Sequence, residues 1–183
     1  MNIEQHENEW LKSEGSKMIT ALGVKSGNKV VEFGCGIGRY GIPVSQVVGE
    51  NGSVFAIERD KDEIAIFRER MALYGGGGII KIMNGDDILL SNIETGIIDS
   101  MFMFDVLQYV DDWSLLFESA RRVLKSNGTV HVYPAEVPHP GSVDPVKVAL
   151  QMQKIGFQYK GKLKFDMMHN KDMVTDYVYT FVI

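Results

Sequence analysis

The chain has few cysteines, no long apolar run and no surplus of basic charge, and each shortage excludes something. Cys35 is the single cysteine in 183 residues, so an internal disulfide is impossible. Together with an amino terminus that lacks the basic-then-apolar order of a signal peptide, this points to a cytoplasmic protein. No apolar stretch approaches the roughly 20 residues that a bilayer span requires, so no membrane segment is expected. Lys and Arg number 19 against 24 Asp and Glu, a net charge of −5. That balance offers no broad electrostatic footprint for duplex nucleic acid or an anionic membrane, although a small basic patch remains compatible with it. His6, His131, His139 and His169 show no metal-ligand spacing with Cys35 or with one another, so no metal is expected. There is no internal repeat and no interdomain linker, and the glycine tract 75–78 is the one low-complexity stretch. Residues 1–183 read as a single domain.

What remains is the pattern of a globular core, with 45% apolar and 23% charged residues. Apolar runs at 29–33, 53–57, 79–83, 97–104 and 129–133 alternate with helix-patterned segments at 40–48, 61–74 and 113–124. Such alternation predicts a mostly parallel sheet with helices on both faces. An amino-terminal helical segment spans about 4–22, as one broken helix or two short ones, because Gly15 weakens its middle. Residues 125–128 read as a turn. Asp144 followed by Pro145 has the order of a helix cap and first turn, and the helix runs to Ile155 before Gly156 ends it. The runs 157–165 and 174–183 have no helical pattern between them, so they read as a hairpin that brings in one antiparallel strand. Met101, Met103, Met167 and Met168 lie in apolar runs and are assigned to the core.

The chemistry is concentrated in Val30-Val31-Glu32-Phe33-Gly34-Cys35-Gly36-Ile37-Gly38. Strand, glycine turn and helix in that order make a nucleotide-sized cradle at the strand's carboxyl end. Gly36-x-Gly38-x-x-Gly41 satisfies a dinucleotide pattern, which keeps a nicotinamide or flavin enzyme in view. The overlapping reading is Glu32-x-Gly34-x-Gly36-x-Gly38, with an acid ending the strand. A carboxylate there repels a pyrophosphate by roughly 3 kcal/mol at ~5 Å and an effective dielectric near 20. It attracts a ligand that carries an ammonium and a sulfonium, which tilts the case toward S-adenosylmethionine.

That stretch is joined by Val54-Phe55-Ala56-Ile57-Glu58, Asn84-Gly85-Asp86-Asp87, Asp105-Val106-Leu107-Gln108-Tyr109-Val110 and Arg122-Val123-Leu124-Lys125-Ser126-Asn127-Gly128. In this order the five segments resemble the class I S-adenosylmethionine-dependent methyltransferases of small seven-stranded type. The resemblance covers nearly the whole chain. It implies a three-layer α/β sandwich, a Rossmann-like and mostly parallel seven-stranded sheet with an antiparallel last strand, and an amino-terminal segment 1–22 that covers the cofactor site. By position, Glu32 resembles the acid that approaches the methionyl amino group. Gly34 and Gly36 flank Cys35 where the backbone comes close to the cofactor. Glu58 resembles the acid that binds both ribose hydroxyls, and Arg59 then lies beside the adenine. Asp86, with Asp87 as substitute, resembles the acceptor from the adenine amino group, and Phe104 passes the methionyl end. Asp105 stands where the family often has asparagine or histidine, Gln108-Tyr109 replaces a frequent histidine pair, and Ser126-Asn127-Gly128 replaces Pro-Gly-Gly.

The resemblance implies in-line methyl transfer, with S-adenosylhomocysteine as product. No insert after the fifth strand is long enough to form a substrate-recognition domain, which favours a small-molecule acceptor and leaves a protein acceptor open. Asp105 and Tyr109 are expected to line the acceptor pocket, with Asp105 able to take a proton. His139, His6 and Trp10 are further candidates for that pocket. Nothing near Cys35 lowers its pKa, so a packing role is expected. A nicotinamide-dependent oxidoreductase and a catalytically silent S-adenosylmethionine-binding module remain as alternatives.

Overall fold

The structure is a computed structural model that describes residues 3–85, 87–134, 143–170 and 172–183. Seven strands form one sheet: β1 (Lys29–Phe33), β2 (Ser53–Glu58), β3 (Ile80–Asn84), β4 (Ile98–Phe104), β5 (Leu124–Tyr133), β6 (Gln158–His169) and β7 (Asp172–Val182). Their order is β3-β2-β1-β4-β5-β7-β6. The first five strands pair in parallel, and β7 runs antiparallel to both of its neighbours. The seven-stranded, mostly parallel sheet is therefore as expected, with β7 inserted between β5 and β6.

The layers follow from side-chain alternation along strands that are buried on both faces. Val30, Val54 and Phe102 point to one core, shared with Ile19, Ile42 and Phe67. Val31, Met101 and Met103 point to the other, shared with Leu116, Phe117, Val148 and Met152. The first core is covered by α2 (Gly15–Ala21), α3 (Gly41–Val48) and α4 (Lys61–Tyr74), the second by α5 (Trp113–Val123) and α6 (Pro145–Ile155). The caps are local and polar. Asp60, Asp112 and Asp144 each accept from a backbone N–H in the first turn of α4, α5 and α6.

Three features depart from the expected boundaries. The amino-terminal segment is continuous, with α1 (Ile3–Glu9) passing through a π-helical turn at Trp10–Glu14 into α2. Gly15 keeps helical backbone angles, and its place is set by space. A Cβ there would lie 2.6 Å from Pro43 Cγ, so glycine lets α2 press onto α3. The turn at 125–128 is absorbed into β5 as an irregularity, where the register slips between Ile98↔Leu124 and Ser100↔Thr129. The closing hairpin is longer than expected, with Met168↔Met173 and His169↔Asp172 paired close to its turn. Because β6 runs in the direction of the parallel strands, its end at His169 reaches the same edge as their carboxyl ends.

Candidate functional site

A cavity of about 580 Å³ opens at that edge. One end is walled by Gly36, Glu58, Arg59 and Asp60, the middle by Glu32, Gly34 and Phe104, and the far end by Asp105, Tyr109, Tyr133 and His169.

Glu32 is 2% exposed, and its Oε2 has no hydrogen-bond partner among the described residues. Burial, and secondarily the charge of Glu58, holds its carboxyl well above the usual carboxylate range. A Cβ on Gly41 would lie 2.6 Å from that same oxygen, so the third glycine of the dinucleotide-like pattern makes room for an acid. Gly34 is required twice: its φ is +74°, and a Cβ there would lie 2.3 Å from Val106 Cγ2. The N–H groups of Gly34 and Cys35 both donate to the Ile57 carbonyl, at 2.9 and 3.0 Å, which ties the glycine turn to the end of β2.

The Glu58 carboxylate is held by the backbone. Its Oε2 accepts from Gly36 N–H at 2.9 Å, and its Oε1 accepts from Arg59 and Asp60 N–H at 2.8 and 3.0 Å. With about four acceptor sites on a carboxylate, Oε2 retains capacity toward the cavity. Cys35 is buried where the first core meets the cavity, and burial together with Glu32 and Glu58 pushes its thiol well up, so it remains a thiol there. Phe104 lines the cavity at the end of β4. Asp86 lies outside the described residues. Asp87 does not line the cavity; it turns into its own loop, accepting from Ser91 N–H at 2.7 Å and Leu89 N–H at 3.2 Å.

At the far end, Asp105 holds a left-handed backbone, φ +51°, and its N–H donates to the Tyr133 carbonyl at 2.9 Å. Asp105 Oδ1 accepts from Gln108 Nε2 at 2.7 Å, and Oδ2 faces His169 Nδ1 at 3.3 Å. Tyr109 stands at the rim, 64% exposed. Tyr40 donates to the Met168 carbonyl at 2.5 Å and meets Phe104 edge-on at 4.7 Å. Burial and the carboxylates of Asp176 and Asp105 push the Tyr133 phenol up, so it stays protonated. His139 lies outside the described residues.

No described residue of the amino-terminal segment lines the cavity, His6 and Trp10 included. Instead the segment braces the glycine turn from behind. Trp10 is buried and donates from Nε1 to the Arg39 carbonyl at 2.8 Å, and Glu7 bridges Arg39 and Arg70 at 3.0 and 2.8 Å. Sequence reasoning missed Tyr40, Tyr133, Met168, His169 and Asn170 as cavity residues. The available signal was that Tyr133 ends an apolar run. His169 gave none, because only the length of the hairpin carries it back to Asp105.

A doubly wound sheet with an acid near the end of its first strand, a glycine turn and a cavity across the strand ends has the architecture of a nucleotide-binding fold. Residues 24–143 match the methyltransferase domain family. The chain belongs to that family, among the S-adenosylmethionine-dependent methyltransferases. A demethylmenaquinone methyltransferase of Staphylococcus aureus is 28% identical over 130 residues, which is 71% of this chain and 50% of that protein. The chain thus spans about half the length of the curated relatives it matches. A methyltransferase structure from Aquifex aeolicus, described as dependent on S-adenosylmethionine, superposes with TM-score 0.75 at 18% identity, covering 98% of this chain and 95% of that one. An S-adenosylmethionine-dependent O-methyltransferase from Thermotoga maritima superposes with TM-score 0.62 at 16% identity, covering 92% and 64%. Among the described residues no helix is long and apolar enough to cross a membrane.

Proposed function

We propose that this chain transfers a methyl group from S-adenosylmethionine to a small-molecule acceptor bound between Asp105, Tyr133 and His169. The observation that carries this reading is the buried Glu32 oxygen without a hydrogen-bond partner among the described residues, which an ammonium group would satisfy while drawing the carboxyl back toward its charged form. Glu32, Gly34, Gly36 and Glu58 would hold the cofactor, with Cys35, Arg59 and Phe104 beside it. Asp86 joins them on the sequence pattern alone. When bound, S-adenosylmethionine supplies an electrophilic methyl group on a sulfonium, ready for in-line displacement.

The chain's own work is placement and exclusion of water. Phe104, Tyr40 and Met168 give the middle of the cavity an apolar wall. Asp105, fixed by Gln108, is the carboxylate positioned to take an acceptor proton. Alignment of this kind supplies several kcal/mol of barrier reduction without a dedicated acid–base pair. A small-molecule acceptor is supported by the cavity's size and by the Staphylococcus aureus relative, whose name specifies demethylmenaquinone.

Titration calorimetry with S-adenosylhomocysteine and with NAD tests the cofactor: binding of the first and not the second is expected, and the reverse would establish the oxidoreductase alternative. A metabolite screen with methyl-labelled S-adenosylmethionine then separates an enzyme from a silent binding module. Label incorporated into no acceptor would favour the module.

A further inference from the structure

The stretch from the middle of the cavity to its acceptor end has a composition of its own. Tyr40, Phe104, Tyr133 and His169 form a chain of rings, each perpendicular to the next, at 4.7 Å and 87°, 6.3 Å and 89°, and 5.7 Å and 87°. All four line the cavity. Consecutive rings meet edge to face, and where they border the cavity they give it an electron-rich aromatic wall, a lining compatible with an organic cation. Beside them stands Asp105, with one oxygen fixed by Gln108 and the other toward His169. Tyr133 is 1% exposed, and its hydroxyl stands beside the buried carboxylate of Asp176. The arginines in the cavity wall, Arg39 and Arg59, belong to the glycine turn and the end of β2, and Arg39 is engaged by Glu7. Among the described residues the acceptor end thus has rings, a carboxylate and a phenol, and no lysine or arginine to receive an anion.

We propose that the methyl acceptor is a small amine, bound through its ammonium form by Asp105 and the Tyr40–Phe104–Tyr133 rings, and methylated on nitrogen. This rests on the methyltransferase reading above. A primary or secondary ammonium gives up one proton before its nitrogen has a lone pair to share. Asp105 Oδ2 receives that proton, and His169, 3.3 Å away, passes it outward to water. The nitrogen lone pair then forms the bond to the methyl carbon while the carbon–sulfur bond breaks with its electron pair on sulfur. The positive charge leaves the sulfonium and appears on the product ammonium, so atoms and charge balance. Among the described residues, a carboxylate or phenolate acceptor would instead meet the Asp105 charge with no lysine or arginine at that end to offset it.

Two probes and one variant test the proposal. Protein saturated with S-adenosylhomocysteine is titrated with benzyltrimethylammonium, which cannot be methylated, and with its neutral isostere neopentylbenzene. The ammonium is expected to bind about tenfold more tightly or better. Asp105→Asn is expected to erase most of that preference while leaving S-adenosylhomocysteine affinity within about twofold. Asparagine tolerates the left-handed backbone at this position, so the variant keeps the fold. With methyl-labelled S-adenosylmethionine, phenethylamine is expected to take label and catechol is not. Equal affinity for the two probes, or methylation of catechol without phenethylamine, overturns the amine assignment alone. Absence of S-adenosylhomocysteine binding overturns the proposed function and this inference together.

Discussion

Glu32 and His131 are both buried ionisable side chains, and their effects on stability run in opposite directions with pH. Glu32 in the native state holds its proton to a pH well above its unfolded value of 4.5. The stability linked to that proton is full below 4.5 and is lost as pH rises through the folded value. His131 is pushed down from 6.5 to about 3 by burial, stacked on Phe102 and set between Thr129 and Thr180. Its contribution is present above 6.5 and is lost as pH falls toward 3. Thermal melts across pH should therefore show His131→Gln flattening the acid side and Glu32→Gln flattening the decline at higher pH. Glu32→Gln should also weaken S-adenosylhomocysteine binding by about 10- to 100-fold, the scale of a lost charge-assisted hydrogen bond, as read by calorimetry. Glu32 was legible in the sequence because an acid interrupts an otherwise apolar run. His131 also interrupts one, but its partner Thr180 lies on β7, and nothing local announces that pairing.

At the scale of elements, the least legible parts were those decided by partners distant in sequence. Asp144 announces its helix because a cap acts within one turn, whereas Asp60 and Asp112, which cap α4 and α5 in the same way, were not singled out in the sequence. The irregularity in β5 hides behind turn-forming residues, and the hairpin's reach hides behind Asp166 and His169, whose polarity resembles a loop. Gly15 looked like a weak point in a helix and is a point of contact. Gly15→Ala gains up to about 1 kcal/mol of helix propensity. It also forces a Cβ against Pro43, and overpacking of that kind costs about 1–3 kcal/mol. A net loss of about 1 kcal/mol is expected, seen as a lower denaturant midpoint at unchanged m value. Glu7→Gln removes the charge that Arg39 and Arg70 share. Hydrogen exchange should then quicken in residues 4–21 while β4 keeps its protection.

For the whole molecule, the order of layers and the parallel sheet could be read from alternating apolar runs, whereas the position of β7 could not. The cavity takes its walls from several strand ends and the hairpin, so a ligand that bridges them opposes global unfolding. S-adenosylhomocysteine at 100 times its dissociation constant should stabilise the fold by about 2.7 kcal/mol. At roughly 2–4 °C per kcal/mol for a chain of this size, the melting temperature should rise by ~5–11 °C. The rise should shrink in Glu32→Gln under the same ligand concentration. The insertion of β7 between β5 and β6 also sets an order of assembly during synthesis. When Tyr133 leaves the ribosome, β1, β2, β4 and β5 can already pair, and Glu32 and Glu58 stand on strands in their final register. β6 has no place to dock until the strand made after it arrives. Met168 and His169 thus reach the cavity only in the last stage of folding, and a nascent chain completes its acceptor wall after its glycine turn.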